Sequence, residues 1–231
     1  MPLHPIPLTQ ARLQYDPGWL GHGDSGALFE DLRRGLAWEV HRIRLFGRLV
    51  DSPRLSCWIG DPGARYRYSG ADFDPHPWPA ALLPVRERLA RELGIHFNSV
   101  LANLYRCGND AMGWHSDDEP ELGAEPTIAS LSLGARRRFV LRHRSDPDRK
   151  LALDLAAGSL LVMAGQTQQH YRHALPRTRR AVGERINLTF RHVSAKDARR
   201  ASAKYAKDAK GAKEAKEAKD WVSGTSASFG D

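Results

Sequence analysis

Cysteine is scarce in this sequence. Of its 231 residues only two, Cys57 and Cys107, are cysteines. A chain of this length buries enough apolar surface to fold without covalent cross-links, and two thiols are too few for a disulfide framework. The composition excludes a small disulfide-stapled secreted domain. It favours a reducing, intracellular compartment, and we expect the cytoplasm.

Long apolar runs are also missing. The longest candidates, such as Ser159–Ala164, have the length of a strand and fall far short of the ~20 apolar residues of a membrane helix. The first ten residues contain three prolines, no lysine or arginine and no apolar core, so they do not resemble a signal peptide. We therefore expect no membrane partner.

The positive charge is spread unevenly. The formal net charge is +8, and residues 195–220 alone carry nine basic and five acidic side chains, which is +4. Apart from Tyr205 this stretch has no large apolar residue, so it cannot bury a face. We therefore predict one domain over residues 1–194 and an Ala/Lys-rich flexible tail over residues 195–231. A basic chain often meets polyanions, although charge alone defines no chemistry.

The body of the chain shows helical periodicity first and strand patterns later. Leucines recur at helical spacing over Leu28–Leu36, and Asp24 or Ser25 can cap that helix. A second helical pattern runs from Pro79 to Gly94. Predicted strands are Asn98–Tyr105, Thr127–Leu133, Arg138–His143, Leu151–Leu155, Ser159–Met163 and Arg185–His192. This order predicts an α+β fold with helices packed on an antiparallel sandwich or jelly roll.

A histidine followed two residues later by an aspartate occurs twice, at His22 and at His115. About one such pair is expected by chance, so only its context is informative. His22 lies in a glycine-rich stretch beside the helix cap, whereas His115 and Asp117 lie in WHSDDE. The three adjacent acids there are costly unless a cation or hydrogen-bond donors neutralise them, or unless they stay solvated. Together with a second histidine, His115 and Asp117 would complete a 2-His-1-carboxylate iron site. The candidates for that histidine are His143, His170, His173 and His192.

The last predicted strand has an unusual polar face. Successive residues of a strand point to opposite faces, so Ile186, Leu188 and Phe190 share one face of it. The opposite face carries Arg185, Asn187, Thr189 and Arg191. It would be either an ordinary solvent-facing side or a row of donors for carboxylates, which guanidinium groups bind in bidentate fashion. Asn103 and Tyr105 share one face of another strand and could supply further donors to an acidic cosubstrate.

These residues resemble the AlkB-type Fe(II)/2-oxoglutarate dioxygenases, which repair alkylated nucleic acid bases. The resemblance covers most of residues 11–193, and the layout is most similar to the duplex-DNA branch of the family. The motifs that carry it, in chain order, are ARLQYDPGWL, LFGRLVDSPR, RYRYSG, N-x-Y, H-x-D-D-E, PTIASLSLGARRRFVLRH, GSLLVMAG, HYRHALP and R-x-N-x-T-x-R.

The resemblance implies a double-stranded β-helix with Fe(II) at its mouth. Residues of about 11–75 would form a nucleotide-recognition part and residues of about 95–193 the jelly-roll core. The implied iron ligands are His115, Asp117 and His173, the last because it immediately precedes Ala174-Leu175-Pro176. 2-Oxoglutarate and O₂ would be the other cofactors. Arg185 would hold the 2-oxoglutarate end nearer the metal and Arg191 the distal carboxylate. Asn103, Tyr105, Asn187 and Thr189 would assist.

The implied reaction is oxidative demethylation of 1-methyladenine or 3-methylcytosine in DNA, and in RNA as a further candidate, with release of succinate, CO₂ and formaldehyde. The base must be flipped out of a duplex. His115 would stack on one side of it, and Tyr66 or Tyr68 on the other unless they are ordinary strand aromatics. Asp118 and Glu119 would accept hydrogen bonds from its exocyclic amine, Asp118 thereby serving catalysis.

Further residues would contact the nucleic acid. Phe46, in a basic stretch, would be a finger wedged into the base stack, or it belongs to the core. Arg54 matches a DNA-contacting arginine of the family. Residues 135–150 carry seven basic and two acidic side chains and form either a phosphate-binding segment or a solvated face.

Two rival functions share some of these features. Another Fe(II)/2-oxoglutarate oxygenase, acting on a protein or a small molecule, would have the same iron motif. A non-catalytic nucleic-acid-binding jelly roll is disfavoured because every proposed iron and cosubstrate residue is present. We expect a monomer. The sequence contains no feature that distinguishes single-stranded DNA, duplex DNA and RNA as substrates. It likewise does not distinguish methyl from etheno lesions.

Overall fold

A computed structural model describes residues 2–45, 48–64, 66–68 and 71–194, and it describes side chains for residues 2–41, 50–64 and 74–194. Phe46 and the predicted tail, residues 195–231, lie outside the described residues. No described helix combines the length and the hydropathy that crossing a bilayer requires.

Strands dominate the described part of the chain. The helices are α1 (His22–Gly35), α2 (Leu83–Leu93) and α3 (Thr167–His170). The strands of the first half are β1 (His4–Ile6), β2 (Arg12–Asp16), β3 (Arg42–Leu45), β4 (Arg48–Asp51), β5 (Leu55–Gly60), β6 (Tyr66–Tyr68) and β7 (Ala71–Phe73). Those of the second half are β8 (Ser99–Tyr105), β9 (Met112–His115), β10 (Ile128–Gly134), β11 (Arg137–His143), β12 (Lys150–Leu155), β13 (Leu160–Ala164), β14 (Tyr171–Leu175) and β15 (Arg185–Arg191).

Two antiparallel sheets form the body of the fold. The larger has the strand order β1-β2-β13-β10-β15-β8-β5, and the smaller has the order β12-β11-β14-β9. The pairs β3-β4 and β6-β7 form separate two-stranded sheets. Apart from the hairpins β1-β2 and β11-β12, neighbouring strands in both sheets are far apart in sequence, as a jelly roll requires. The predicted α+β jelly roll is confirmed.

Two apolar clusters hold the layers together. One contains Leu28 and Leu32 of α1, Leu89 of α2 and the apolar side of β15, so the two longer helices cover the outer face of the larger sheet. The other joins residues of both sheets, among them Leu161 and Leu141, and fills the space between them. Truncating a fully buried side chain in such a core to alanine costs about 2–5 kcal/mol.

The predicted elements of the body match the structure closely. All six predicted strands lie within one residue of the observed bounds. Gly94 ends α2 in the left-handed conformation, with φ +66°, which a glycine adopts without strain. The predicted cap of α1 is wrong, because the helix begins at His22 after Gly21 and has no side-chain cap. Asp24 instead lies in the first turn, where a carboxylate favours the helix dipole.

Candidate metal centre and cofactor pocket

The three side chains expected to bind iron meet between the two sheets. His115 ends β9, Asp117 follows two residues later, and His173 lies on β14 directly across from His115. One ligand atom from each of the three lies within 4.8 Å of the others, and the two imidazole centroids are 4.2 Å apart. Within the part of the chain that the structure describes, no other group of three histidine, cysteine or acidic side chains is arranged in this way.

Neighbouring groups orient these ligands. His115 Nδ1 lies 2.8 Å from the Gly113 carbonyl oxygen. Because a carbonyl only accepts, Nδ1 must donate, and the lone pair of Nε2 is left for a metal. The backbone N–H of Asp117 donates to Oε1 of Gln168 over 3.0 Å, which fixes the loop after β9. These contacts orient the His115 ring and hold the loop that carries Asp117.

The electrostatics of the cluster also suit a cation. Burial, and then the nearby His115, lowers the pKa of His173 to about 3, and burial likewise lowers the pKa of His115. Burial alone would raise the pKa of Asp117, but Arg191 and the two histidines outweigh it and hold that pKa below its usual value. Two neutral imidazoles and one carboxylate are the ligand states that a divalent metal needs. This donor set is the facial triad typical of non-haem Fe(II).

A pocket opens beside the cluster. It encloses about 450 Å³, its open mouth included, and side chains of both sheets line it. Besides Arg191 and the three metal-site side chains, its polar lining comprises Asn103, Tyr105, Ser130, Asn187 and Thr189. These amide and hydroxyl groups can bind a small polar acid.

Arg185 is buried close to this lining and is incompletely paired. Its side chain is 0% exposed, and Nη2 donates to Oγ of Ser132 and to Oδ1 of Asn187 over 2.9 and 3.0 Å. Its Nε and Nη1 have no hydrogen-bond partner among the described residues. Burial lowers the pKa of Arg185 to about 10, so the group remains a cation at neutral pH. A buried guanidinium with spare donors fits a carboxylate of 2-oxoglutarate.

Comparison with known proteins identifies the protein family. The family model described as the 2OG-Fe(II) oxygenase superfamily matches residues 12–191. The chain belongs to this superfamily. The expected enzyme class, an Fe(II)/2-oxoglutarate-dependent dioxygenase, and the expected cofactors Fe(II), 2-oxoglutarate and O₂ are those of the superfamily.

Individual relatives narrow the family to AlkB. The chain is 38% identical over 183 residues to the DNA oxidative demethylase ALKBH2 of Bos taurus, covering 75% of this chain and 66% of the relative. It is 37% identical over 183 residues to human ALKBH2, with 75% and 70% covered. It is 36% identical over 196 residues to the alpha-ketoglutarate-dependent dioxygenase alkB homolog 3 of Bos taurus, with 81% and 68% covered.

The chain thus spans about two thirds of the length of these relatives. The solved structure of OsALKBH1 superimposes with a TM-score of 0.54 at 16% identity, covering 83% of this chain and 100% of that one, which supports the fold alone.

In this AlkB-family chain the arginine beside the metal-site residues is Arg191, whereas the expected order along 2-oxoglutarate placed Arg185 nearer the metal. Arg191 donates from Nη2 to Oδ1 of Asp117 over 2.7 Å and therefore lies beside the metal ligands. Arg185 lies six residues away along β15, which is ~20 Å between Cα atoms in an extended strand. The alternation of side chains along the strand predicted that both arginines share one face. It carries no information on which end of the strand lies near the metal site. The face itself lies inside the fold and not in water.

The position of Arg54 differs from the expected nucleic-acid contact. Its side chain is 3% exposed, so Arg54 offers almost no surface to a phosphate. Nε donates to Oδ1 of Asn103 over 2.7 Å, and Nη1 donates to Oγ of Ser52 over 2.9 Å. The cause is the pairing of β5 with β8, which sets Ser56 opposite Asn103 and brings Arg54 beside the cofactor pocket.

The acids after the metal carboxylate have separate surroundings. The Asp118 side chain is 51% exposed and forms an ion pair with Arg144. Arg144 also donates to Oγ of Ser116 over 2.8 Å and to the Gln168 carbonyl over 3.3 Å, so it fastens the ligand-bearing loop to α3. Glu119 is partly buried. Sequence reasoning missed Arg144 and Gln168 as supports, because their contacts join segments more than 20 residues apart and leave no local pattern.

Tyr66 and Tyr68 lie in β6, but their side chains are not among those described. Of the other histidines, His22 is exposed on α1, and His170 stacks on His143 at 5.7 Å. His192 donates to the His96 carbonyl over 2.8 Å. The stacking roles of His115, Tyr66, Tyr68 and Phe46 stay predictions.

Proposed function

We propose that this enzyme removes alkyl groups from N-alkylated bases of DNA, with 1-methyladenine and 3-methylcytosine as the first substrates. One observation carries the proposal. The His115–Asp117–His173 cluster, of which Asp117 and His173 are buried, lines a pocket near a buried arginine, Arg185, that has spare donors. The relatives named as DNA oxidative demethylases support the substrate class.

Each part of the pocket has a defined task in this proposal. His115, Asp117 and His173 would hold Fe(II). A site holding Fe(II) and 2-oxoglutarate would let O₂ oxidise a methyl C–H bond. Arg185 would bind the carboxylate of 2-oxoglutarate that is distant from the metal. Asn103, Tyr105, Asn187 and Thr189 would hold the rest of the cosubstrate. The overall reaction converts the N-methyl base, 2-oxoglutarate and O₂ into the free base, formaldehyde, succinate and CO₂.

Recognition of the damaged base falls to the loop after His115. A 1-methyladenine or 3-methylcytosine base carries a positive charge, which nearby carboxylates such as those of Asp118 and Glu119 stabilise. Arg144 would fix the Asp118 carboxylate so that it can accept from the exocyclic amine. Flipping the base into the site costs a few kcal/mol, and stacking on His115 and on Tyr66 or Tyr68 would repay part of that cost.

The surface charge near the site fits a polyanionic substrate. A cleft beside the end of β14 is lined by the exposed Arg136, Arg138, Arg177 and Arg180, with Asp154 as its acid. Such a cluster attracts phosphates and has no evident use for a small neutral substrate. The same proposal includes RNA as a second substrate, action as a monomer in the cytoplasm near the nucleoid, and residues 1–194 as the catalytic domain.

The deciding experiment is a demethylation assay. Purified protein with Fe(II), ascorbate and 2-oxoglutarate is given oligonucleotides with one 1-methyladenine or 3-methylcytosine, as single-stranded DNA, duplex DNA and RNA. We expect restored base and formaldehyde in equal amounts, with Asp117→Asn as the inactive control. If 2-oxoglutarate is decarboxylated but no oligonucleotide yields the restored base, base repair is excluded. The protein would then be a dioxygenase that acts on another substrate.

A further inference from the structure

The outer face of the smaller sheet carries an unusual set of exposed side chains. The side chains on β9, β11, β12 and β14 that point away from the pocket form this face, which we call the outer basic face. Its charged and aromatic members are Trp114, Arg138, Arg142, Lys150, Asp154 and Arg172. The strand order places β9, with Trp114, at one edge of the sheet.

Three cationic side chains lie side by side on this face. The register sets Arg142 opposite Lys150 on one side and opposite Arg172 on the other. Like charges directly across a sheet repel each other. Within the described residues no carboxylate lies at ion-pair distance from any of the three. The positive charge of these three side chains is therefore not neutralised by the described part of the protein. It favours the binding of an anion from another molecule.

Trp114 adds an aromatic surface to the row. Its side chain is 44% exposed, which is unusual for so large an apolar group. The Cζ atom of Arg142 lies 4.7 Å from the indole centroid, so a cation–π contact holds the ring against the sheet. An indole that is fixed in place and open to solvent next to cations is the arrangement on which proteins stack single-stranded bases.

The path from the pocket to this face is short. His115 faces the pocket, and the preceding residue, Trp114, faces outward, as successive residues of a strand do. Because β9 is an edge strand, a nucleic acid chain leaving the pocket needs to pass around only one strand to reach the outer basic face.

We propose that the outer basic face binds a single-stranded segment of the DNA substrate that flanks the target base. Trp114 stacks on one base of that segment, while Lys150, Arg142 and Arg172 bind its phosphates. The inference rests on the proposed function, because it assigns the face to the same substrate. Charge alone would also suit an acidic peptide, but the exposed indole beside the cations selects for a chain that alternates phosphates with flat bases.

The test measures binding and not repair. Fluorescence anisotropy follows a labelled, undamaged oligothymidylate of 20 nucleotides with the full-length protein at several salt concentrations. Trp114→Ala should weaken binding roughly 5- to 150-fold, while Trp114→Phe, which keeps a ring, should retain most of the affinity. Arg172→Gln should lower the slope of log affinity against log salt by about 0.7.

Matched controls separate this face from general effects. Leu83→Ala removes another exposed apolar side chain, and Arg91→Gln removes another exposed cation, on α2. Both should leave the affinity for the oligonucleotide within about twofold of the unsubstituted protein, although Arg91→Gln also removes one charge.

Equal binding by Trp114→Ala and Trp114→Phe would overturn the stacking role, as would poly-glutamate competing as well as the oligonucleotide. If the unsubstituted protein does not bind the oligonucleotide, the proposal that the outer basic face binds DNA is wrong. The proposed function fails separately, when no methylated oligonucleotide is repaired, whatever the binding result.

Discussion

Arg191 donates from Nη2 to Oδ1 of Asp117 over 2.7 Å, and the two side chains are only 4% and 3% exposed. A charge pair so deeply buried depends on both partners, because either alone would be an uncompensated charge in a medium of low dielectric constant. Arg191 thus keeps the metal carboxylate ionised and turns it toward the two imidazoles. The pair connects the metal ligands to the strand that carries the other arginine.

The first prediction concerns Asp117. Asp117→Asn keeps an acceptor for Arg191 and the shape of the side chain but removes the charge that a cation needs. We expect it to lose Fe(II) binding in calorimetric titration and to lose all turnover. Asp117→Ala should in addition lower the free energy of unfolding by about 3–5 kcal/mol, because it breaks the buried ion pair with Arg191. Asp118→Asn, one residue on, is the control and should bind Fe(II) normally. Turnover by Asp117→Asn would show that the metal assignment is wrong.

The second prediction tests the order of the arginines along 2-oxoglutarate. Arg185→Gln should raise the KM for 2-oxoglutarate roughly 30-fold or more, since it removes one partner of a buried charge pair. It should also abolish the preference for 2-oxoglutarate over 2-oxobutyrate, which lacks the distal carboxylate. Arg191→Gln should retain that preference, because it lies at the end that both acids share. The opposite pattern would restore the order that the sequence motif implied.

The third prediction assigns Arg54 to the pocket wall and not to DNA. Arg54→Gln loses the guanidinium that fixes the Asn103 amide, so we expect a higher KM for 2-oxoglutarate and an unchanged affinity for undamaged oligonucleotides. The salt dependence of that affinity should also be unchanged, since no phosphate contact is lost. Arg54→Lys serves as the conservative comparison. Weaker oligonucleotide binding at an unaltered KM would make Arg54 a nucleic-acid contact after all.

The fourth prediction is a pH dependence of stability. Burial tends to raise the pKa of Asp110, but the Arg106 guanidinium and backbone N–H outweigh it and lower the pKa below its ordinary value. The ionised carboxylate therefore stabilises the fold above the unfolded pKa, and this stabilisation is lost as the pH falls through the lower, folded value. Asp110→Asn should cost about 1–3 kcal/mol at neutral pH and progressively less in acid.

Urea unfolding at neutral and acid pH measures this difference. Asp148→Asn, on an exposed turn, is the matched control and should shift stability by less than about 0.5 kcal/mol at either pH. A cost for Asp110→Asn that does not diminish in acid would show that the carboxylate charge is not what stabilises this loop.

Much of the second half of the fold could be predicted because its signals are local. Alternation and turn residues located six strands within one residue. Strands β9 and β14 were not predicted as elements, since each is short and its pattern is broken by histidines that serve the site. The strands of the first half also escaped prediction. Their pairing with distant strands, such as β2 with β13, stabilises them more than their own residues do.

The sequence by itself determined the identity of the metal-binding side chains, the donor face of β15 and the family, because residue type and order along the chain carry that information. Only the tertiary structure decided that Arg191 and not Arg185 lies beside Asp117, that Arg54 is buried against Asn103, and that Arg144 fastens the ligand loop. The physical reason is common to all three. A strand pattern states which face a side chain occupies, whereas the end of the strand that meets the site, and the partner across it, depend on long-range register.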